Sequence, residues 1–218
     1  VGWSFGNATG LSILADPSVL PQSLYDTVRP YLKTYVLHDP PYTALGYVLP
    51  GEEHFYDPWG DLEYATPDEK HENFNSWVTS YFTHPDIESG RPSGMSCAKR
   101  TERQTYATWT DEQKATYFDK EAAGRSELPM YAPPMQATLN AQTHQALFNV
   151  HLVSSFFPEV NVLYLSGSAT CYYCIWAYME SLRMYKEAVA REEKVRRTTF
   201  KLVDGGNHFV SDFPFGSG

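Results

Sequence analysis

Two short segments at opposite ends of this chain carry residue types that could do covalent chemistry together. One is Gly2-Trp3-Ser4-Phe5-Gly6, a serine with a glycine two residues to either side. The other is Asp204-Gly205-Gly206-Asn207-His208, a histidine reached through a glycine pair. A serine hydroxyl is a poor nucleophile at neutral pH and needs a base to take its proton during attack. Imidazole suits that role because its pKa lies near neutrality. Gly205 and Gly206 permit a tight loop that would bring the His208 ring over a serine. The chemistry of such a pair is acyl transfer, with Ser4 attacking a carbonyl carbon and water releasing the acyl group. The remaining histidines, His38, His54, His71, His84, His144 and His151, have no partner at motif spacing. His38 adjoins Asp39 at the end of a β-prone run, where it packs or caps.

Positioning those residues falls to a series of strands and helices. Small residues and an apolar face over 7–15 predict a helix directly after Ser4, stopped by Pro17. Residues 31–38 form a β-prone apolar run closed by Asp39-Pro40-Pro41, since proline fits just past a strand end and not within a buried strand. From 42 to 134 the composition shifts to Pro, Gly, His and aromatics, with helical patches at 67–83 and at 110–123, where Thr110 can cap. A helix over 136–148, a buried strand over 160–167, a long helix over 174–195 and a last strand over 198–203 follow. This order predicts an α/β fold with a parallel sheet and crossover helices. Three regions result: 1–41, the serine turn, helix and following strand; 42–134, a mainly helical insertion; and 135–218, the C-terminal core with the histidine loop.

Composition narrows the function classes. At 218 residues and 42% hydrophobic content the chain can bury a sizeable core. A net charge of −9 argues against nucleic acid as a partner. The stretch 180–201 holds seven basic and four acidic side chains, and its alternating signs read as a solvated helix face. Three cysteines, Cys97, Cys171 and Cys174, make no disulfide framework and point to a reducing, cytoplasmic setting. Cys171 and Cys174 sit among Tyr172, Tyr173, Ile175 and Trp176 and read as two buried thiols on an aromatic helix. No second cysteine pair and no histidine at zinc-ligand spacing accompany them, so the sequence supports no metal site and requires no cofactor. No apolar run is long enough to span a bilayer.

Serine motif, strand ending in Asp-Pro-Pro, helical insertion, strand ending in glycine, helix, strand and Gly-x-x-His together resemble the second half of the α/β-hydrolase fold, over nearly all of the chain. The insertion resembles the lids of fungal hydrolases of the alpha/beta-hydrolase-1 type. The resemblance implies that Gly2–Gly6 is a nucleophile elbow, a strained strand-to-helix turn whose two glycines avoid clashes of Cβ atoms. It makes Ser4 the nucleophile, His208 the base and the Phe5 backbone N–H a donor to the oxyanion hole. It also implies a small-molecule substrate and a sheet with strands before the elbow. The chain is thus expected to be the back portion of a longer protein, completed by a preceding segment or companion chain of roughly 80 to 120 residues. That missing part would hold the second oxyanion donor and the body of the nucleophile strand, without which the strands ending at His38 and Gly167 would lack their central neighbour.

The acid of the triad departs from the common pattern. Family members carry it after the penultimate strand, which here runs Leu165-Ser166-Gly167-Ser168-Ala169-Thr170 with no carboxylate before Glu180. Some branches, such as one haloalkane-dehalogenase subgroup, place it after the strand that follows the elbow helix, a position held here by Asp39. A turn-forming aspartate before two prolines explains the same residue, and Asp204 lies close to His208 in sequence. The acid is open at this level, with Asp39 first. The functional reading is a serine hydrolase of an ester, thioester or lactone of a small apolar molecule. Its pocket would draw on Trp59, Trp77, Tyr81, Phe82, Trp109, Tyr117 and Phe118. An acyltransferase or lyase could use the same site, and a non-catalytic hydrolase-like scaffold is the reading from a different class.

Overall fold

A computed structural model describes residues 1–209 of the chain. Residues 210–218, the end of the expected C-terminal core, lie outside the described residues. Four parallel strands form one sheet in the order β1 (Gly2–Trp3), β2 (Thr34–His38), β3 (Asn161–Gly167) and β4 (Thr198–Val203). Helices α1 (Gly6–Ala15) and α2 (Gln22–Val28) connect β1 to β2, and α8 (Tyr172–Ala190) connects β3 to β4. Parallel neighbours require such crossovers, because a tight turn cannot return the chain to the same end of the sheet.

Between β2 and β3 runs a long excursion. It contains α3 (Pro67–Val78), α4 (Asp111–Tyr117), α5 (Lys120–Ala122), several single 3-10 turns, and then α6 (Pro133–Phe148) and α7 (Val150–Ser155). Both sequence-expected patches become helical; the first ends early, at Val78, and the second is interrupted after Tyr117 and resumes as α5. Thr66 and Thr110 each close a capping box, with Glu69 and Gln113 respectively, so these starts are encoded within four residues. Helix α6 begins at Pro133, so the expected boundary at 134/135 falls inside one element.

Two expectations need correction, one about the sheet and one about the stretch 180–201. β2 and β3 were to lack a neighbour without a longer central strand, yet they pair directly, from Thr34 opposite Asn161 to His38 opposite Leu165. β1 lies beside β2 at the edge of the sheet. Nor is 180–201 wholly a solvated face. Helix α8 stops at Ala190, and Arg196 is only 1% exposed. Its guanidinium donates to the carbonyls of Ala146, Phe156, Phe157 and Val160 at 2.8 to 3.4 Å, and its backbone N–H to Leu147 O at 2.8 Å. Arg196 thus satisfies the end of α6 and the turn into β3, where orphan carbonyls would otherwise be buried. Burial pulls its pKa down to about 10.

Tyr35, Leu37, Val162 and Tyr164 share one sheet face by register, and all four are buried. Helix α1 covers that face through Gly10, where a Cβ would overlap the Tyr35 hydroxyl. Helix α8 covers it through Tyr178, packed edge-on to Tyr164. Trp77 of α3 packs edge-on against Tyr172 and Tyr173 of α8, tying the excursion to the same core. Among the described residues no helix is long and apolar enough to cross a membrane.

The glycines of this frame differ in what they permit. A Cβ on Gly167, at the end of β3, would overlap the carbonyl of Gly206, which is backbone and cannot swing aside. Gly6 has open space around it, so of the two motif glycines only Gly2 is required by packing, against Tyr35 and Asn7. Gly167→Ala is expected to lower the unfolding free energy by about 1–3 kcal/mol through overpacking. Gly6→Ala should change it by less than about 0.5 kcal/mol. Urea unfolding of the two variants beside the wild type checks both values.

Candidate active site

The C-terminal ends of the strands meet at one place, and Ser4, Phe5, Asp39 and His208 lie there. In open parallel sheets this edge is where ligand sites form, because the loops leaving it converge on one crevice. Ser4 follows β1, Asp39 follows β2, Ser166 and Thr170 bracket the end of β3, and His208 follows β4. Ser4 and Asp39 both adopt left-handed backbone conformations, with φ of 51° and 46°. Such angles are strained for residues bearing a Cβ and hold only where the surroundings enforce them.

Asn7 does the enforcing at Ser4. It is fully buried, and its side-chain amide donates to Ser4 O at 2.9 Å and to His38 O at 3.0 Å. Ser4 N donates to the same His38 carbonyl at 3.1 Å. The serine turn is thereby locked to the end of β2, one residue before Asp39. Asp39 N in turn donates to Leu165 O at 2.8 Å, carrying the lock on to β3. Helix α1 starts immediately after the turn, which puts the Phe5 N–H at a helix N-terminus beside Ser4.

Asp39 is wholly buried, and its carboxylate is saturated with donors. Oδ1 accepts from the Ser166 hydroxyl and, at 3.4 Å, from Gly167 N. Oδ2 accepts from Thr170 Oγ1 at 2.7 Å and from His208 Nδ1 at 2.6 Å. Burial alone would raise its pKa; the bonds from His208, Ser166 and Thr170 outweigh that and hold the carboxyl below its ordinary range. For His208 burial opposes the charged ring, and the hydrogen bond and charge of Asp39 overcome it, leaving the imidazole above its ordinary value. With Nδ1 committed to Asp39, Nε2 is left as the nitrogen that could act as base.

The His208 loop is held from several directions. Gly205 takes φ 65°, Gly206 O accepts from Ala169 N at 2.8 Å, and Trp3 Nε1 donates to His208 O at 3.1 Å. Asn207 reaches away into the excursion, donating to Thr79 O at 2.7 Å and Thr105 Oγ1 at 2.9 Å. His84 is a second link. It accepts from Ser96 N at 3.0 Å through Nδ1, which leaves Nε2–H to donate to Thr170 O at 2.8 Å. That arrangement needs a neutral ring, in keeping with the lowering of its pKa by burial.

Ser4, Phe5 and His208 line one cavity of about 300 Å³, a size fit for a small molecule. Of the aromatics expected to line a pocket, Trp59, Trp77, Tyr117 and Phe118 do so. Tyr81, Phe82 and Trp109 do not appear in its wall, and Trp109 packs on Tyr106, Tyr117, Phe118 and Phe209 instead. Trp3, Phe74, Tyr131, Tyr173 and Phe209 add further aromatic rings to the lining. Asp204 and Glu180, the other acids near the motif, are elsewhere. Asp204 is exposed, its nearest partner the Ser168 hydroxyl at 3.5 Å, and Glu180 pairs with Arg183 at 2.7 Å.

Sequence reasoning missed Asn7, Ser166, Thr170, Asn207 and the placement of Cys174. The signal was partly there. The loop 166–170 carries hydroxyls and no carboxylate, and two of those hydroxyls hold a carboxylate that arrives from β2. Asp39, Cys174 and His208 also place three possible metal donors within 4.8 Å of one another. The 2.6 Å between His208 and Asp39 is a hydrogen bond, however; ligands straddling a tetrahedral ion at ordinary bond lengths stand about 3.3 Å apart. The site as built fits a proton-transfer pair. Comparison with protein-family models, curated proteins and solved structures finds no match.

The pair sets a pH window for stability. His208 has its folded pKa above the ordinary 6.5, so its contribution is full below 6.5 and lost as pH rises through the folded value. Asp39 has its folded pKa below 3.8, so its contribution is full above 3.8 and lost as pH falls through the folded value. Titration of the His208 imidazole by NMR should give an apparent pKa above 6.5 in the wild type. Asp39→Asn should lower it, because the charge that favours imidazolium is gone; an unchanged value would refute the coupling.

Proposed function

We propose that this chain is a serine hydrolase of the α/β-hydrolase kind, cleaving an ester, thioester or lactone of a small, largely apolar molecule. One observation carries the reading. A serine on a strained strand-to-helix turn shares a cavity with a histidine whose Nδ1 is held at 2.6 Å by a buried aspartate. In this mechanism His208 Nε2 removes the Ser4 proton as Oγ attacks the carbonyl carbon. Asp39 keeps the ring in the Nδ1–H tautomer and stabilises the imidazolium that forms. The oxyanion rests on the Phe5 N–H at the start of α1, where the helix dipole adds to the donor. Protonated His208 then passes its proton to the leaving group, and water repeats the sequence in reverse to free Ser4.

The cavity lining supports the substrate class. Its aromatic walls favour an apolar acyl or alcohol part, and its charged members are the carboxylates Asp119 and Glu127, with no Lys or Arg among the lining residues. A negatively charged substrate would meet repulsion there. Much of the wall, including Trp59, Phe74, Trp77 and Tyr117, comes from the excursion between β2 and β3, which acts as the lid of this hydrolase.

A fluorophosphonate probe and a short p-nitrophenyl ester test the reading. Ser4→Ala should abolish both labelling and hydrolysis, and His208→Ala should lose a similar amount. The double variant should be no worse than either single one, because nucleophile and base act as a unit. Wild-type rates in Ser4→Ala would mean a different nucleophile, and a wild type that neither labels nor hydrolyses would mean a binding scaffold.

Asp39→Asn should slow ester hydrolysis by roughly 10³- to 10⁴-fold, since the imidazole would then favour the wrong tautomer. Asp204→Asn should stay close to wild type. Equal losses in the two variants would remove Asp39 from the mechanism.

A further inference from the structure

The Cys171-x-x-Cys174 pair has no part in the hydrolytic mechanism, yet it is built into the same cavity. Cys171 is the N-cap residue of α8, and Cys174 lies one turn on, its N–H donating to Cys171 O at 3.0 Å. The two sulfurs are 4.0 Å apart, and both thiols are free. Each residue is only 1% exposed, and each lines the cavity shared by Ser4 and His208, so that cavity is their route to small reagents. Cys174 Sγ also stands 3.6 Å from His208 Nδ1 and 3.3 Å from the Asp39 carbonyl oxygen.

This geometry differs from that of two inert core thiols. A cysteine at a helix N-terminus near an imidazole gains thiolate character. At Cys171 burial works against the thiolate, but Cys174 and His208 bring its pKa below the ordinary value. Cys174 is pushed up by burial and stays a thiol. Cys171 holds the helix N-cap, the position that favours a thiolate, and Cys174 lies 4.0 Å away, within reach to resolve it. An S–S bond of about 2.0 Å requires the pair to close by about 2 Å, which a turn of the side chains on adjacent positions of one helical turn can supply. Closing draws Cys174 Sγ towards Cys171 and changes its contacts with the base and with Asp39.

We propose that Cys171 and Cys174 are a reversible oxidation site for a small hydroperoxide, and that the disulfide between them disables His208. The Cys171 thiolate attacks the outer peroxide oxygen, the O–O bond breaks, and the leaving oxygen takes up the proton that Cys171 lost. Cys174 then attacks the resulting sulfenic sulfur; the S–S bond forms, the S–O bond breaks and water leaves. Two thiols are oxidised to one disulfide, and the peroxide is reduced to water plus water or an alcohol. A small dithiol reverses the bond by exchange. Formation of the disulfide is independent of the hydrolase reading, whereas its effect on catalysis rests on it.

The test treats the full chain with hydrogen peroxide, blocks remaining thiols with iodoacetamide and digests with trypsin. The peptide 126–183 contains both cysteines and excludes Cys97. It should become about 2 Da lighter and resist alkylation, and dithiothreitol should reverse both changes. Fluorophosphonate labelling should fall by on the order of 10- to 100-fold in step with the bond, as expected when a catalytic group is misplaced by about 1 Å. Cys97→Ser should respond as wild type does, and Cys171→Ala should show neither the mass change nor reversible loss of labelling. Sulfinic or sulfonic products without the disulfide, or a bond through Cys97, would overturn the site. A disulfide that leaves both labelling and the His208 NMR titration unchanged would overturn its coupling to the base. Failure of the reduced protein to label at Ser4 would count against the hydrolase alone, because mass and titration still judge the dithiol.

Discussion

A carboxylate removed completely from water governs this structure. Unpaired, Asp39 would cost several kcal/mol. It is tolerated because four donors from the segments that leave β3 and β4 close around it: Ser166, Gly167, Thr170 and His208. Asp39 itself leaves β2. The demand for donors therefore holds the ends of three strands in mutual register, and the imidazole is fixed as part of the same arrangement. A charge buried in this way stabilises little overall, yet losing any partner leaves it exposed to an apolar surrounding, so the geometry admits few alternatives.

The strain at Ser4 depends on that frame. A left-handed serine persists only if its neighbours over-determine the turn. Asn7 supplies the determination by bonding both Ser4 O and His38 O, so the turn is referred to the end of β2 rather than to its own local preferences. Asp39 is the next residue along. The Ser4 turn and Asp39 are thus two outputs of one junction between β1 and β2, and a shift in either would be felt by the other.

The excursion of more than a hundred residues between β2 and β3 is anchored to the site by polar contacts, not only by its aromatic packing. Asn207 bonds Thr79 and Thr105, His84 bonds the Thr170 carbonyl, and Phe82 N donates to Ala169 O at 2.9 Å. These reach the residues flanking His208 and the loop that holds Asp39. The cavity wall and the charged pair are consequently coupled parts.

What was legible in the sequence was what short stretches of chain encode by themselves. The cap at Thr110, the helix after Ser4, the β4 strand at 198–203 and the serine and histidine motifs all rest on preferences that act over a few residues. Helix α8 shows the limit, since its charged end suggested continuation to 195 while the buried Arg196 turned the chain inward. Asp39 could be named from sequence only as one candidate among acids, because its partner lies 169 residues away. The hydroxyls of Ser166 and Thr170 looked like a missing acid until the β2–β3 register set them around one, and the burial of the cysteine pair was legible whereas the place of Cys174 beside His208 was not. Local backbone and solvation preferences are written in neighbouring residues. Which carboxylate meets which imidazole is decided by strand order and by the need to satisfy every charge that the closing sheet removes from water.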